Sequence, residues 1–245
     1  MDRILSALEA RGETWGPATE RQLVFEIKTF LLAGHETSAA MLSWTLYELS
    51  VRPDLRARVR EEARAHLPQH WGRVREEAAA EDKAATEVAV DSPEPAREQV
   101  ERMEYSLSCL KESLRKYSVV PVVTRNLDAP DSLCGYDLPK GSWIVCHIQR
   151  VHHLYQNPLN WDPLRFMPGG EYDQFDEDIR PYMFLPFTAG PRNCLGQHFA
   201  LLEARVLLGQ LCERFDFKPV DAEKQGRTDP HVVPVGPVNG MPFYI

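Results

Sequence analysis

From Glu20 to Ser50 the apolar residues Leu23, Val24, Ile27, Phe30, Leu31, Leu42, Leu46 and Leu49 recur at steps of three and four. That is the period of a helix packed along one face or more, and it stops where Pro53 follows Ser50. The middle of this helix, Ala33-Gly34-His35-Glu36-Thr37-Ser38, is small and polar where a packed helix should be apolar. Gly34 alone costs about 1 kcal/mol of helix stability relative to alanine, so something other than packing favours that centre. A second helix is predicted from Asp54 to His66, with Asp54 able to cap its first turn and Arg56, Arg58 and Arg60 facing acidic partners further along. The stretch 72–99 is rich in Ala, Glu and Arg, is broken by Ser92-Pro93-Glu94-Pro95, and reads as a solvated insertion with partial helicity.

Helical spacing resumes at Met103, Leu107, Leu110 and Leu114 and stops near Pro121. The texture then changes to short extended runs, Val119–Thr124, Leu133–Tyr136 and Trp143–Ile148, the last two joined by a hairpin-like turn at Leu138-Pro139-Lys140-Gly141. Residues 157–191 are punctuated by Pro and Gly and hold neither period; loops of such length in compact domains are usually functional. A last helix is predicted from Gly196 to Arg214, with Phe199, Leu201, Leu202, Val206, Leu207 and Leu211 as its apolar set, and 232–245 reads as short strands. The fold class is α+β, mainly α, with small sheets late in the chain.

Length and charge narrow this further. A chain of 245 residues, 43% hydrophobic and 26% charged, has the composition of a globular protein. Its formal charge of −8 works against affinity for nucleic acid or anionic lipid surfaces. The five cysteines, Cys109, Cys134, Cys146, Cys194 and Cys212, include no C-x-x-C pair, which argues against a disulfide framework or structural zinc. No window approaches the roughly 18 consecutive apolar residues of a membrane span, and the start carries no signal-peptide pattern; the chain reads as soluble.

One cysteine stands apart. In Phe187-Thr188-Ala189-Gly190-Pro191-Arg192-Asn193-Cys194-Leu195-Gly196, Cys194 lies between two glycines in a turn that runs into a helix. The positive end of a helix and its free N–H groups stabilise a thiolate. Gly190 and Gly196 let backbone approach a flat ligand, Phe187 can cover the sulfur, and Arg192 offers a cation to a ligand carboxylate. Taken alone, Cys194 could also be a buried structural thiol or a nucleophile.

The pattern Phe-x-x-Gly-x-Arg-x-Cys-x-Gly resembles the heme-binding loop of the cytochrome P-450 family of heme-thiolate mono-oxygenases. Residues 33–38 resemble that family's oxygen-activating helix motif, and Lys111-Glu112-Ser113-Leu114-Arg115 contains its Glu-x-x-Arg. The three motifs stand in the family's order, and the resemblance covers nearly all of residues 20–245, the carboxy-terminal half of a typical member. It implies a partial cytochrome P-450 fold, with residues 1–245 as the carboxy-terminal part of a single domain.

The resemblance also implies roles. Cys194 would be the axial thiolate of heme b (iron protoporphyrin IX), with Arg192 and Arg125 at its propionates and Phe187, Gly190, Gly196 and Gly34 around it. Thr37 and Glu36 would deliver protons to dioxygen, with His35 a bystander. Glu112 and Arg115, three apart on one helix face, would form a buried structural triad with Arg165 of Pro163-Leu164-Arg165-Phe166, where leucine replaces a common acidic residue. Ala33, Val119, Val122 and Val123 would line a pocket for an apolar substrate. His147, His152, His153 and His198 show no ligand spacing and read as surface or core residues. Electrons would come from an external donor, a flavin reductase, since the sequence holds no flavin or nicotinamide motif. The expected setting is intracellular, with a full-length form at the endoplasmic reticulum membrane or in a plastid and any membrane association supplied by chain absent here. The alternatives are a heme-thiolate isomerase or lyase and a non-catalytic fragment acting through partner binding. With much of the porphyrin cover missing, apolar surface at 119–123 and along 20–50 is expected to be exposed.

Overall fold

The computed structural model describes residues 6, 10–12, 15–68, 95–228 and 233–245. The long helix α1 spans Pro17–Ser50, starting three residues before the predicted Glu20 because a proline fits the first helical turn, where no N–H partner is needed. Its packing is uneven. From Ala40 onward Met41, Trp44 and Leu49 are buried, whereas Val24, Phe25, Ile27, Phe30, Leu31 and Leu32 of the earlier turns are exposed. The apolar spacing is real, but only the last part of the helix has a core to meet.

Pro53 opens α2 (Pro53–His66). Asp54 does not cap it: Arg52 holds the cap position with no side-chain cap bond, and Asp54 sits in the first turn, where its charge favours the positive helix end. Arg56 and Arg60 do meet an acid, reaching Asp216 Oδ1 at 3.0 and 2.7 Å, while Arg58 lies 3.9 Å over the Tyr105 ring instead. The insertion expected at 72–99 lies outside the described residues up to 94. Its last residues, 96–99, are exposed, and only Val100 just beyond, in α3 (Arg97–Glu101), is buried, against Ala63 and Met103.

Helix α4 (Glu104–Tyr117) ends on Ser118, a residue in the left-handed region at φ 45°. Beyond it the described residues form three two-stranded antiparallel sheets. Strand β1 (Val123–Asn126) pairs with β4 (Trp143–Cys146), and β2 (Asp131–Leu133) pairs with β3 (Tyr136–Leu138). The run Leu133–Tyr136 is therefore not a strand but a hairpin tip. Cys134 and Gly135 both take positive φ, 52° and 84°, the arrangement of a two-residue turn that follows the strand twist. The run from Val119 becomes a strand only at Val123, and the run from Trp143 ends at Cys146 before α5 (Ile148–His152) begins.

Among the described residues 157–191 contains no strand, only 3₁₀ turns at Pro163–Phe166 and Glu171–Gln174, the start of a third at Gly190–Arg192, and the short helix α6 (Arg180–Met183). Helix α7 (Gln197–Arg214) turns Ala204, Leu208 and Cys212 into the core, leaving Phe199 and Leu207 of its predicted apolar set exposed. Strand β5 (Lys218–Pro219) pairs with β6 (Phe243–Tyr244), with α8 (Ala222–Gln225) between them. The predicted strands over 232–245 reduce to β6 and one bridge at Pro237; Val232 lies outside the described residues.

One core gathers the buried ends of these elements. The Trp44 ring stacks on Tyr117 at 4.0 Å and 8°, and its Nε1 donates to the Val235 carbonyl at 2.9 Å. The Val235 N–H donates to the Val119 carbonyl at 2.8 Å, so the chain end is tied both to α1 and to the segment after α4. Gly209 allows α7 its close approach to α2. A Cβ there would lie 2.8 Å from Met103 Cε, 3.0 Å from Leu67 Cδ1 and 3.2 Å from Ala63 Cβ. We expect Gly209→Val to lower stability by about 1–3 kcal/mol through overpacking, read as the urea unfolding midpoint; an unchanged midpoint would mean that the crossing is looser than this.

Candidate functional site

The loop before α7 is built by backbone more than by side chains. The Leu185 carbonyl accepts from the Thr188 N–H at 3.0 Å, and the Phe187 carbonyl accepts from the Cys194 N–H at 2.9 Å. Between them Thr188 and Gly190 take positive φ, 58° and 79°, so Gly190 is required here by the turn itself. The loop returns on itself and leaves Cys194 exposed just ahead of the first turn of α7. Gly196 caps that helix, and a Cβ on it would lie 4.0 Å from Cys194 Sγ.

Cys194 and the centre of α1 share one cavity of about 240 Å³. Thr37 and Ser38 come from α1, Leu114, Val119 and Val120 from the end of α4 and beyond, and Phe187, Arg192 and Cys194 from the loop. Most of this wall is apolar, with the thiol, the Arg192 guanidinium and the hydroxyls of Thr37, Ser38 and Thr188 as its polar groups. The Thr37 hydroxyl donates to the Ala33 carbonyl at 2.6 Å, which leaves its oxygen free to accept.

Behind the loop lies a buried ion cluster. The Arg115 guanidinium grips Glu112 with two bonds, Nε to Oε2 at 2.7 Å and Nη2 to Oε1 at 2.8 Å, and both side chains are fully buried. Arg165 Nε stands 3.4 Å from Glu112 Oε1, an ion-pair contact, and another arm of Arg165 pairs with Glu171. Arg115 also donates to the carbonyls of His152 at 3.0 Å, Pro158 at 2.8 Å and Asn160 at 3.2 Å. Burial pushes the Glu112 carboxyl above its usual range, against the pull of Arg115, the Asp162 N–H and Arg165.

The family pattern described as Cytochrome P450 matches residues 1–240. The chain belongs to the cytochrome P450 family. Cytochrome P450 4Z1 of Homo sapiens is 35% identical over 214 residues, covering 86% of this chain and 37% of the relative. Cytochrome P450 4X1 of Homo sapiens is 33% identical over 250 residues, covering 100% and 43%. Taurochenodeoxycholic 6 alpha-hydroxylase of Sus scrofa is 31% identical over 245 residues, covering 98% and 41%. The chain thus spans about two fifths of the length of these relatives. Heme b is the cofactor of the family, and the mainly helical fold with small antiparallel sheets is part of the P450 fold.

The donor set fits a heme: a thiol on a backbone-braced loop faces an apolar cavity, a guanidinium stands at the rim, and a glycine rather than a side chain lies beside the sulfur. Of the P450 residues expected from sequence, Cys194, Arg192, Phe187, Thr37, Ala33 and Val119 line the cavity together. Glu36 and Gly34 are on the exposed side of α1. Val122, Val123 and Arg125 do not line the cavity: Val122 is exposed, Val123 leads β1, and the Arg125 guanidinium donates to the Thr124 carbonyl. Val119 is buried, contrary to the expectation of exposed apolar surface there. Sequence reasoning missed Met41, Pro186 and Ala200 in the wall, as well as Glu171 in the ion cluster, whose only signal was the loss of the usual acid at Leu164.

It also left His152 without a role. The ring is fully buried, and burial first, with the Arg115 charge second, lowers its pKa from 6.5 to about 3. The folded value lies below the unfolded one, so the unfolded chain binds the proton first. This stabilisation is complete above about pH 6.5 and is lost as pH falls toward 3, at no more than about 1.4 kcal/mol per pH unit. Urea unfolding at about pH 7 and about pH 5 should show this loss in the wild-type chain and a shallower slope in His152→Leu; equal slopes would contradict it.

Proposed function

We propose that this chain carries the catalytic portion of a heme-thiolate mono-oxygenase that places one atom of dioxygen into an apolar, lipid-like substrate. The observation that carries the reading is the shared cavity, in which the Cys194 thiol and the Thr37 hydroxyl face the same apolar space. Heme b, when bound, supplies the oxidation, with thiolate donation favouring O–O cleavage. The protein supplies ligation, a proton path and a dry pocket. Cys194 would hold the heme iron through its sulfur. Arg192 offers the rim cation for a heme carboxylate, with Arg125 as its second partner once the rest of the chain shapes the rim.

Thr37 Oγ1, its hydrogen committed to the Ala33 carbonyl, accepts a hydrogen bond from a proton-bearing water through its lone pairs, and Glu36, exposed one residue earlier, connects that water to solvent. Met41, Leu114, Val119 and Phe187 keep water from the reacting side. A hydroxyl at this place favours oxygenation over a peroxide rearrangement, which needs no such protons. The name of the pig relative, a hydroxylase of a bile-acid conjugate, points to the same substrate class. Electrons come from an external donor, a flavin reductase, and the full-length protein works inside the cell at the endoplasmic reticulum or in a plastid. No helix among the described residues is long and apolar enough to cross a membrane.

The chain loaded with hemin, reduced and placed under carbon monoxide should give a thiolate-type absorption band. Cys194→Ser should abolish that band, whereas serine at Cys109, Cys134, Cys146 or Cys212 should leave it; a band that survives Cys194→Ser would overturn the ligand assignment. In the full-length enzyme Thr37→Ala should keep the heme but divert most of the electrons consumed to peroxide, as expected when a group that delivers protons is lost. Unchanged product per electron would remove Thr37 from the proton path.

A further inference from the structure

The ring of His152 is held at both nitrogens. Leu185 N–H can only donate, so Nε2 accepts from it at 3.0 Å and the ring proton sits on Nδ1. That proton goes to Ser118 Oγ at 2.8 Å, and the Ser118 hydroxyl donates onward to the Arg115 carbonyl at 3.2 Å. The His152 carbonyl in turn accepts from Arg115 Nη1 at 3.0 Å. On its face the ring stacks with Phe184 at 5.5 Å and 29°. The residue therefore sits between the end of α4, where the ion cluster is, and the first residue of the loop that carries Cys194.

We propose that His152 is the positioning residue that locks this loop to the ion cluster, by accepting from Leu185 with one nitrogen while donating to Ser118 with the other. The proposal rests on the reading of Cys194 as the heme ligand. Leu185 is where the loop's internal register begins, since its carbonyl closes the Thr188 turn and the Phe187 carbonyl then fixes Cys194. A free Leu185 N–H would be a part-buried donor that has lost its acceptor, and the turn would lose its fixed start. Burial keeps the imidazole neutral at ordinary pH, which preserves the acceptor.

The two ring nitrogens can be tested apart. Gln at position 152 places an acceptor where Nε2 was, Asn places a donor where Nδ1 was, and Leu offers neither. In the chain without heme, amide exchange at Leu185 should be near wild type in His152→Gln and faster by on the order of tenfold or more in His152→Asn and His152→Leu. After loading with hemin, reduction and carbon monoxide, the thiolate-type fraction should follow the same order, with Gln rescuing it. If Leu185 stays protected in His152→Leu, or if Gln and Asn behave alike in both measurements, His152 is a core filler and the proposal falls. Absence of a thiolate-type band in the wild-type chain would contradict the Cys194 reading instead, and the exchange comparison would still decide for or against His152.

Discussion

Everything around the candidate site hangs on the burial of one carboxylate, that of Glu112. Taking that charge out of water costs several kcal/mol, and only close partners offset it. Here Arg115 binds it through two hydrogen bonds, the Asp162 N–H adds a third at 2.9 Å, and Arg165 stands beside it. The consequence is spatial. To neutralise Glu112 the Arg115 guanidinium must lie flat in the interior, and there its remaining N–H groups collect the carbonyls of His152, Pro158 and Asn160. An irregular stretch with almost no secondary structure is thereby fixed by one planar fork.

The same logic connects structure to chemistry. A thiolate ligand on a loop is only as well placed as the loop, and this one has apolar packing at Phe187 but not beside the sulfur, where Leu195 is exposed. Its order comes from backbone bonds within the turn and from what holds its ends. Helix α7 holds one end through the core contacts of Ala204, Leu208 and Cys212, while Leu185 and the residues before it reach the ion cluster. Opposite, α1 is anchored by Trp44 against Tyr117 and Val235, which sets its polar centre over the cavity without packing the turns that precede it.

Local signals carried much of this in the sequence. Long helices with a clear period were legible to within a few residues, because the three-and-four spacing runs through them and Pro53 and Gly196 fall at their boundaries. The chemistry was legible because it lies in short contiguous motifs, Cys194 with its glycines and Glu112 with Arg115. The losses share a cause, since they concern partners far apart in the chain. Nothing local says that Arg58 finds a ring rather than an acid, that β4 returns to β1 rather than β3, or that the exposed side of α1 begins before Ala40. The Cys134-Gly135 turn was locally visible as a residue–glycine pair, but the apolar Leu133 and Tyr136 around it read as one strand. His152 was invisible because its role exists only where α4, α5 and the loop meet.

The central claim is that the fork of Arg115, and not merely its positive charge, places the thiolate loop. Arg115→Lys separates the two, since lysine keeps the charge beside Glu112 but cannot serve both carboxylate oxygens and three carbonyls from one atom. The measurement is the carbon monoxide spectrum of the reduced, hemin-loaded variant, taken together with its helix content by circular dichroism. The account predicts helix content close to wild type with most of the thiolate-type band lost. A variant that keeps the full thiolate-type band would contradict it, because charge alone would then suffice to hold Cys194 in place.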